Sequence, residues 1–342
     1  MGHKEVGGVK AKLDDDGHVD SVLEQLEIDW KFSNNPLQTA DNELQARIIV
    51  REVFRENGLD VTFKAKPIIG VAGSGEHTHF GVMAKLKSGK FVNLFSPEDM
   101  RKEAASSLGI GAIMGLLKNY EAINPFISST TDSLNRLKPG FEAPVCIVTS
   151  LGVDPSVPSR NRTILCGLIR DIDNPMATRY ELRAPNPYTN TALALIYLAA
   201  WDGMKYAITS GKTQAELVAE LSKKPGEHAD YLEDDRAYRA EDDVFEDYTQ
   251  EERDAMFSVP PATVWENILG FKNHPEKVAV LSQGNAFEKD LMESFISAIL
   301  NRWKLELVSR IIPANLQQAR DMKPVHVEGA NSCDDRRFKA LN

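Results

Sequence analysis

The sequence predicts an α+β fold. Stretches with the two-residue alternation of strands and stretches with the 3.6-residue period of helices both run through the 342 residues. They do not follow the βαβ rhythm of a doubly wound sheet. Neither a P-loop nor a GxGxxG turn is present to build such a sheet around a nucleotide. The hydrophobic fraction of 42% and the charged fraction of 26% suit a globular chain with a large core.

Taken in order, "EQLEIDWKF" alternates apolar and polar residues and predicts a strand containing Glu27. "TADNELQARIIVREVFRENG" sets Ala46, Ile49, Val50, Val53 and Phe54 at helical spacing, with Thr39 or Asp41 to cap the helix and Gly58 to stop it. "LDVTFKAKPI" resumes strand alternation through Val61, Phe63 and Ala65, and the glycine-rich "GVAGSGEHTHFGV" follows. Residues 107–125 form an apolar helical stretch, followed by the polar loop "SSTTDSLNRLKPGFEAPV". Strands are expected at "PVCIVTSL", "RTILCGLIR" and "TRYELRA". "TALALIYLAAW" predicts a buried helix over about 190–206, too short to span a bilayer. The acidic segment 226–253 reads as a solvated excursion or connector, with a partner site as the second reading. A helix over 286–312 presents Leu291, Phe295, Ile299 and Trp303 and is expected to stop at Pro313. One domain over 1–325 and a frayed polar tail over 326–342 complete the expected organisation.

A formal charge of −10 argues against nucleic acid or an anionic membrane as partner. Cys146, Cys166 and Cys333 are odd in number and lack CxxC spacing, so they read as the reduced thiols of a cytoplasmic protein. "MGHKEVGG" contains no apolar signal core, so no export is implied.

The residues that carry chemistry fall in four clusters. If "EHTHF" is a strand, His77 and His79 look into one space, and Gly73 and Gly75 let a backbone or ligand approach. Alone, the pair reads as a glycine-rich hairpin arm with solvent-facing histidines, and the rest of the chain has to decide. In "TRYELR", Arg179, Glu181 and Arg183 share one strand face, while Tyr180 and Leu182 take the other. That is either an exposed ion-pair ladder or a carboxylate ligand between two anion clamps. Arg136 and Glu142 flank a Pro139-Gly140 bend, and Arg160 and Arg162 stand in "SRNRT".

In combination these motifs resemble those of the glutamine synthetases. "KPIIGVAGSGEHTH" is similar to that family's ATP-binding signature, and "NRLKPGFEAP", "RNRT" and "RYELRAPNPYTN" follow in the family's order. Upstream, "EVGG" and "QLEIDW" resemble the two segments that each supply a metal-binding glutamate. The resemblance covers roughly residues 3–312. It implies a glutamine synthetase-type catalytic domain, a mainly antiparallel sheet backed by helices. The implied reaction is ATP-dependent ligation of ammonia to the γ-carboxylate of glutamate through γ-glutamyl phosphate, using two or more Mg²⁺ or Mn²⁺ ions. Position by position, Glu5, Glu27, His77 and Glu181 match metal ligands. Arg136 and Arg183 match groups that hold glutamate and the transferring phosphoryl group, with Gly73 on the substrate side. Glu142 matches the carboxylate of a closing flap, Arg162 and Arg179 match phosphate-contacting arginines, and His79 matches a nucleotide-side histidine.

The departures are specific. A family arginine five positions after Arg162 is Gly167 here, with Arg170 nearby, and an asparagine before the glycine loop is Ala72. "VKAKLDDDGHVDSVLE" is an insert between the two glutamate segments. The family's N-terminal β-grasp domain and its first pair of metal glutamates would precede Glu5, so the chain reads as a catalytic domain entered partway. In that reading the isolated chain is expected to be inactive and its assembly into the family's ring-shaped homo-oligomers is in doubt. The alternatives are a ligase for another amine, as in enzymes similar to γ-glutamylpolyamine synthetases, or a non-catalytic module that keeps the fold.

Overall fold

The computed structural model describes residues 2–5, 10–13, 16, 19–67, 73–138, 146–185 and 189–321. The chain divides into two compact units, Met1–Ala286 and Phe287–Asn342. That boundary falls ahead of the one expected at 325, and the tail 326–342 lies outside the described residues.

In the first unit the strands are β1 (Gly2–Glu5), β2 (Lys10–Leu13), β3 (Val19–Leu23), β4 (Leu26–Asp29), β5 (Glu76–Phe80), β6 (Met83–Lys85), β7 (Phe91–Asn93), β8 (Cys146–Ser150), β9 (Ile164–Ile169) and β10 (Arg179–Ala184). Its helices are α1 (Pro36–Glu56), α2 (Ser107–Lys118), α3 (Tyr120–Ile127), α4 (Thr131–Arg136), α5 (Thr189–Thr209), α6 (Gln214–Leu221), α7 (Gln250–Phe257), α8 (Val264–Asn273) and α9 (Pro275–Leu281). The second unit holds α10 (Lys289–Glu306) and α11 (Ile312–Asp321).

The central sheet has the order β5-β10-β9-β8. β10 is antiparallel to both β5 and β9, and β8 runs parallel to β9. The expected α+β arrangement is therefore present, as a mixed sheet with two antiparallel ladders. Its apolar face buries Phe80, Tyr180 and Leu182. Phe80 packs edge-on to Phe95 at 6.2 Å and to Tyr197 of α5 at 6.0 Å, and the Tyr180 hydroxyl donates to the Gly109 carbonyl of α2 at 2.8 Å. α2 and α5 pack backbone to backbone, because a Cβ on Gly111 would lie 2.6 Å from the Gly203 carbonyl. The expected single helix over 107–125 is two helices, broken at Asn119, whose side chain donates to the Gly115 carbonyl at 2.8 Å.

Several expectations need correction. α1 starts at Asn35, which accepts from the Gln38 amide at 3.2 Å, followed by Pro36 in the first turn, not at Thr39 or Asp41. Gly58, at φ +72°, does end it. Ala40 is its buried residue, whereas Ile49 and Val53 are exposed, as are Leu37, Leu44 and Ile48. Val61, Phe63 and Ala65 form no strand; Phe63 instead lies under the Arg47 and Arg51 guanidiniums at 5.4 and 5.1 Å. Alternation alone supplies no ladder partner, and cation–π contact uses that ring in another way. The insert between the glutamate segments is a hairpin of β2 and β3. After α10 a π-helical stretch, Leu307–Ile311, leads into α11, so Pro313 does not end the helical run. It falls in the first turn of α11, where a missing N–H costs little.

The acidic segment 226–253 is not a solvated excursion. Tyr238 is fully buried, and Ala237, Ala240 and Val244 pack with Cys146, Val148, Ile164 and Phe257. The segment also adds to the sheet edge: the Thr149 amide donates to the Tyr238 carbonyl at 2.9 Å, and the Ala240 amide to the Thr149 carbonyl at 3.0 Å. Arg236, 3% exposed, bridges Glu121 at 2.9 Å and Glu233 at 2.8 Å, and Lys277 reaches Glu121 at 2.7 Å. Burial pushes the Cys146 thiol up to about 12, and Cys146 and Cys166 are both free and buried, consistent with inert thiols. Among the described residues no helix is long and apolar enough to cross a membrane.

Candidate active site

The polar face of the β5–β10 ladder gathers most of the singled-out residues. The register sets His79 opposite Glu181 and His77 opposite Arg183. Paired positions share a face, so both histidines, Glu181 and the two strand arginines stand together. Phe80 and Tyr180, one step out of phase, anchor the same strands in the core.

Contacts within this face are close. His77 Nδ1 lies 2.9 Å from Glu181 Oε1, and Arg183 Nη2 lies 3.3 Å from Glu181 Oε2. Arg183 is buried and donates from Nη1 to the Arg162 carbonyl at 3.2 Å. Arg179 Nε donates to His79 Nδ1 at 3.1 Å. Burial opposes the charge on Glu181, but the hydrogen bond from His77 and then the positive charge of Arg183 outweigh it, bringing the carboxyl to about 2. Burial holds the His79 imidazole below its usual value, and Arg179 adds to that effect while Glu181 works against it.

Arg136, the last residue of α4, enters from outside the sheet. Its Nη2 lies 3.4 Å from His77 Nε2. The glycine loop makes room for it: a Cβ on Gly75 would sit 2.7 Å from Arg136 Nη2, and one on Gly73 would sit 3.0 Å from Arg136 Cγ and 2.6 Å from the Ala65 carbonyl. What the glycines admit is thus, in part, this arginine. Gln25, which sequence reasoning did not single out, fixes the same loop by donating to the Gly73 carbonyl at 2.9 Å and to Ser74 Oγ at 3.2 Å. Its place two residues before Glu27, on the same alternation, was the available signal.

Other expected residues sit apart. Glu27 is exposed on β4, and the β1–β4 register pairs it with Lys4, whereas position 5 pairs with Leu26. The ladder therefore does not set positions 5 and 27 side by side. Arg162 is exposed and meets Arg183 through its carbonyl. Arg170 does not replace the arginine absent at Gly167. Gly167 faces Glu181 across β9–β10, while Arg170 is buried against the Met100 carbonyl. Glu142 and Ala72 lie outside the described residues. Among the described residues no group of three or more His, Cys, Asp or Glu side chains is placed to hold a metal ion.

A family model described as glutamine synthetase, catalytic domain, matches residues 13–260. The chain belongs to this family. It is 34% identical to the glutamine synthetase of Pyrococcus abyssi over 230 residues, covering 63% of this chain and 48% of the relative. It is likewise 34% identical to the glutamine synthetase of Frankia alni over 234 residues, 65% of this chain and 46% of the relative. The chain spans about half the length of the curated relatives it matches. Among solved structures, Plasmodium falciparum glutamine synthetase aligns at TM-score 0.57 and 17% identity, covering 87% of this chain and 54% of that one. A structure described as apo GmaS without ligand aligns at 0.53 and 21%, covering 86% and 55%. These structural likenesses support the glutamine synthetase fold, and the matched residues include His77, Arg136, Glu181 and Arg183.

Proposed function

We propose that this chain carries glutamine synthetase chemistry: activation of the γ-carboxylate of glutamate by ATP as γ-glutamyl phosphate, followed by attack of ammonia, in the cytoplasm. The observation that carries the reading is the joining of His77, Glu181, Arg183 and Arg136 on one sheet face. Arg183 and Arg136 supply the buried positive charge that an anionic substrate needs, and forked guanidiniums suit both carboxylate and phosphate oxygens. Arg179 and His79, which meet at 3.1 Å at the far end of the same face, are proposed to take nucleotide phosphates.

The donor chemistry fits Mg²⁺ or Mn²⁺ of the weakly held kind. One imidazole and one carboxylate held ionised at a pKa of about 2 are present, and such ions commonly keep waters and complete their shell with substrate phosphates. His77 and Glu181 would hold the ion, and Glu27 is the proposed ligand of a second, to which the β1–β4 register does not bring position 5. When bound, the ions would neutralise charge on the transferring phosphoryl group. Glu142 is proposed to close over the ammonia side. The first unit, Met1–Ala286, is proposed as the catalytic region.

The test measures glutamate-dependent ADP release and γ-glutamyl hydroxamate formation by the 342-residue chain and by Glu181→Gln. Product formed by the parent and lost in the variant supports the reading. Product formed only when another amine replaces ammonia assigns a different acceptor. Glutamate and nucleotide binding that depends on Mg²⁺ or Mn²⁺, without product, matches the inactivity expected of the isolated chain, binding with no metal dependence points to the non-catalytic module, and failure of binding overturns both.

A further inference from the structure

Arg170 follows the last residue of β9 and is only 7% exposed. Continuing the alternation of that strand puts it on the side of Cys166 and Leu168, opposite Gly167 and the site face. Its Nη2 donates to the Met100 carbonyl, whereas among the described residues nothing accepts from Nε or Nη1. The carboxylates of the adjoining turns are engaged elsewhere, Asp173 with Arg101 at 3.0 Å and Asp99 with Lys102 at 3.1 Å. Burial holds the Arg170 guanidinium below its usual pKa, and among the described residues no neighbouring charge offsets it. A guanidinium stays charged in a protein, so a buried one without a counter-charge is costly, and a bound anion would remove that cost. Thr178, beside it in the β9–β10 register, is 1% exposed. Its hydroxyl reaches the Met100 thioether at 4.0 Å, a weak acceptor.

We propose that Arg170 and Thr178 form an anion site on the core side of the sheet, separate from the active-site face, and that its ligand is a phosphate-sized oxyanion, free or as the end of a small phosphomonoester. The guanidinium supplies the charge, and its planar fork matches phosphate oxygens. Two guanidinium nitrogens and a hydroxyl are more donor groups than the two oxygens of a carboxylate can take singly, which favours the tetrahedral ion. The bond to the Met100 carbonyl already fixes the arginine, so little side-chain freedom is lost when the anion binds.

The experiment follows thermal unfolding of the 342-residue chain and of Arg170→Met in rising inorganic phosphate, with sodium chloride holding the ionic strength constant. Phosphate at about ten times its dissociation constant should raise the parent's midpoint by about 2 °C or more. Arg170→Met should lose more than half of that rise, and Thr178→Val should shift it to higher phosphate. The general stabilising effect of phosphate, and its binding to arginines of the site face, act on all three chains and cancel in the comparison. Without phosphate, Arg170→Met should melt no lower than the parent, because an uncompensated charge has gone. If Arg170→Met does not fold, Arg170→Gln, which keeps a donor for the Met100 carbonyl, carries the same comparison. Equal responses in parent and variant, or none in the parent, overturn the site. In a chain whose response depends on Arg170, a larger rise with glycerol phosphate assigns the phosphomonoester, and an equal or smaller one the free ion.

Discussion

Gly167 on β9 stands directly opposite Glu181 on β10, and a Cβ at 167 would meet only the Ile164 Cδ1 atom, at 3.4 Å. The sheet face beside the most strongly depressed carboxylate of the site is thus bare where the family carries an arginine. Gly167→Ala should fold normally and gain about 0.4–1 kcal/mol, since a strand glycine is replaced without a clash. Gly167→Arg should bring a further cation to the site face and tighten ATP binding. Unfolding in urea and nucleotide titration check the two, and weaker ATP binding in Gly167→Arg would show that the face has no room for the added charge.

Gly75→Ala should have the opposite character. Its new methyl would meet Arg136 Nη2 at 2.7 Å and His77 Nε2 at 2.8 Å, so one of the two must move. Overpacking of this kind costs about 1–3 kcal/mol. A melting curve unchanged from the parent, with glutamate affinity also unchanged, would mean that the Arg136 arm does not need the groove.

The polar face of the sheet was legible in the sequence because its physics is local. "EHTHF" and "TRYELR" alternate with period two, and one in-register pairing puts His77, His79, Arg179, Glu181 and Arg183 on one side. Which cations meet which anions was not legible, since Arg136 arrives from a helix 59 positions beyond His77. The segment 226–253 was misread for a related reason. Its composition is acidic, but Glu233 is neutralised by Arg236 and Lys277, and Glu241 by Arg239 and three donors of the 150–152 turn. Composition counts charges and cannot see their partners. For α1 the helical period was right, but burial fell on Ala40, away from Ile49 and Val53.

The Glu121–Arg236–Glu233–Lys277 network makes the fold sensitive to single changes. Arg236 and Lys277 are each 3% exposed on their side chains, so deleting an acidic partner leaves buried cations uncompensated. Glu121→Ala should cost about 3–5 kcal/mol in denaturant unfolding. A loss under about 1 kcal/mol would show that Glu233 alone satisfies both cations.

The same network sets an acid limit. Burial works against the charged form of Glu233, but Arg236 and the Lys277 hydrogen bond prevail and hold its carboxyl below the ordinary 4.5. A carboxyl depressed in the folded state contributes stability above its unfolded pKa and loses it as pH falls through the folded value. Stability should therefore decline below about pH 4.5, and Glu233→Gln should flatten that part of the decline while lowering stability at neutral pH. Urea midpoints measured from pH 7 to pH 3 decide it: parallel curves for parent and variant would remove Glu233 from the acid transition.

The last expectation concerns α1. Leu37, Leu44, Ile48, Ile49 and Val53 are 65%, 53%, 54%, 58% and 48% exposed, so five large apolar side chains of one helix meet solvent in the single chain. The helix is held by other means: its Asn35 cap, Arg47 pairing with Glu76 of β5, and Asn190 of α5 reaching Asp41 at 3.3 Å. Replacing exposed apolar groups removes little that folding buries, and surface changes of this kind usually stay within about 0.5 kcal/mol. An apolar patch of this extent does favour association. The variant Leu44→Glu with Ile48→Lys places opposite charges four residues apart on the helix, in the favourable order. It should melt within a few degrees of the parent and sediment with less self-association at high protein concentration. A large loss of stability would show that these side chains are covered within the chain itself, and unchanged association would place the adhesive surface elsewhere.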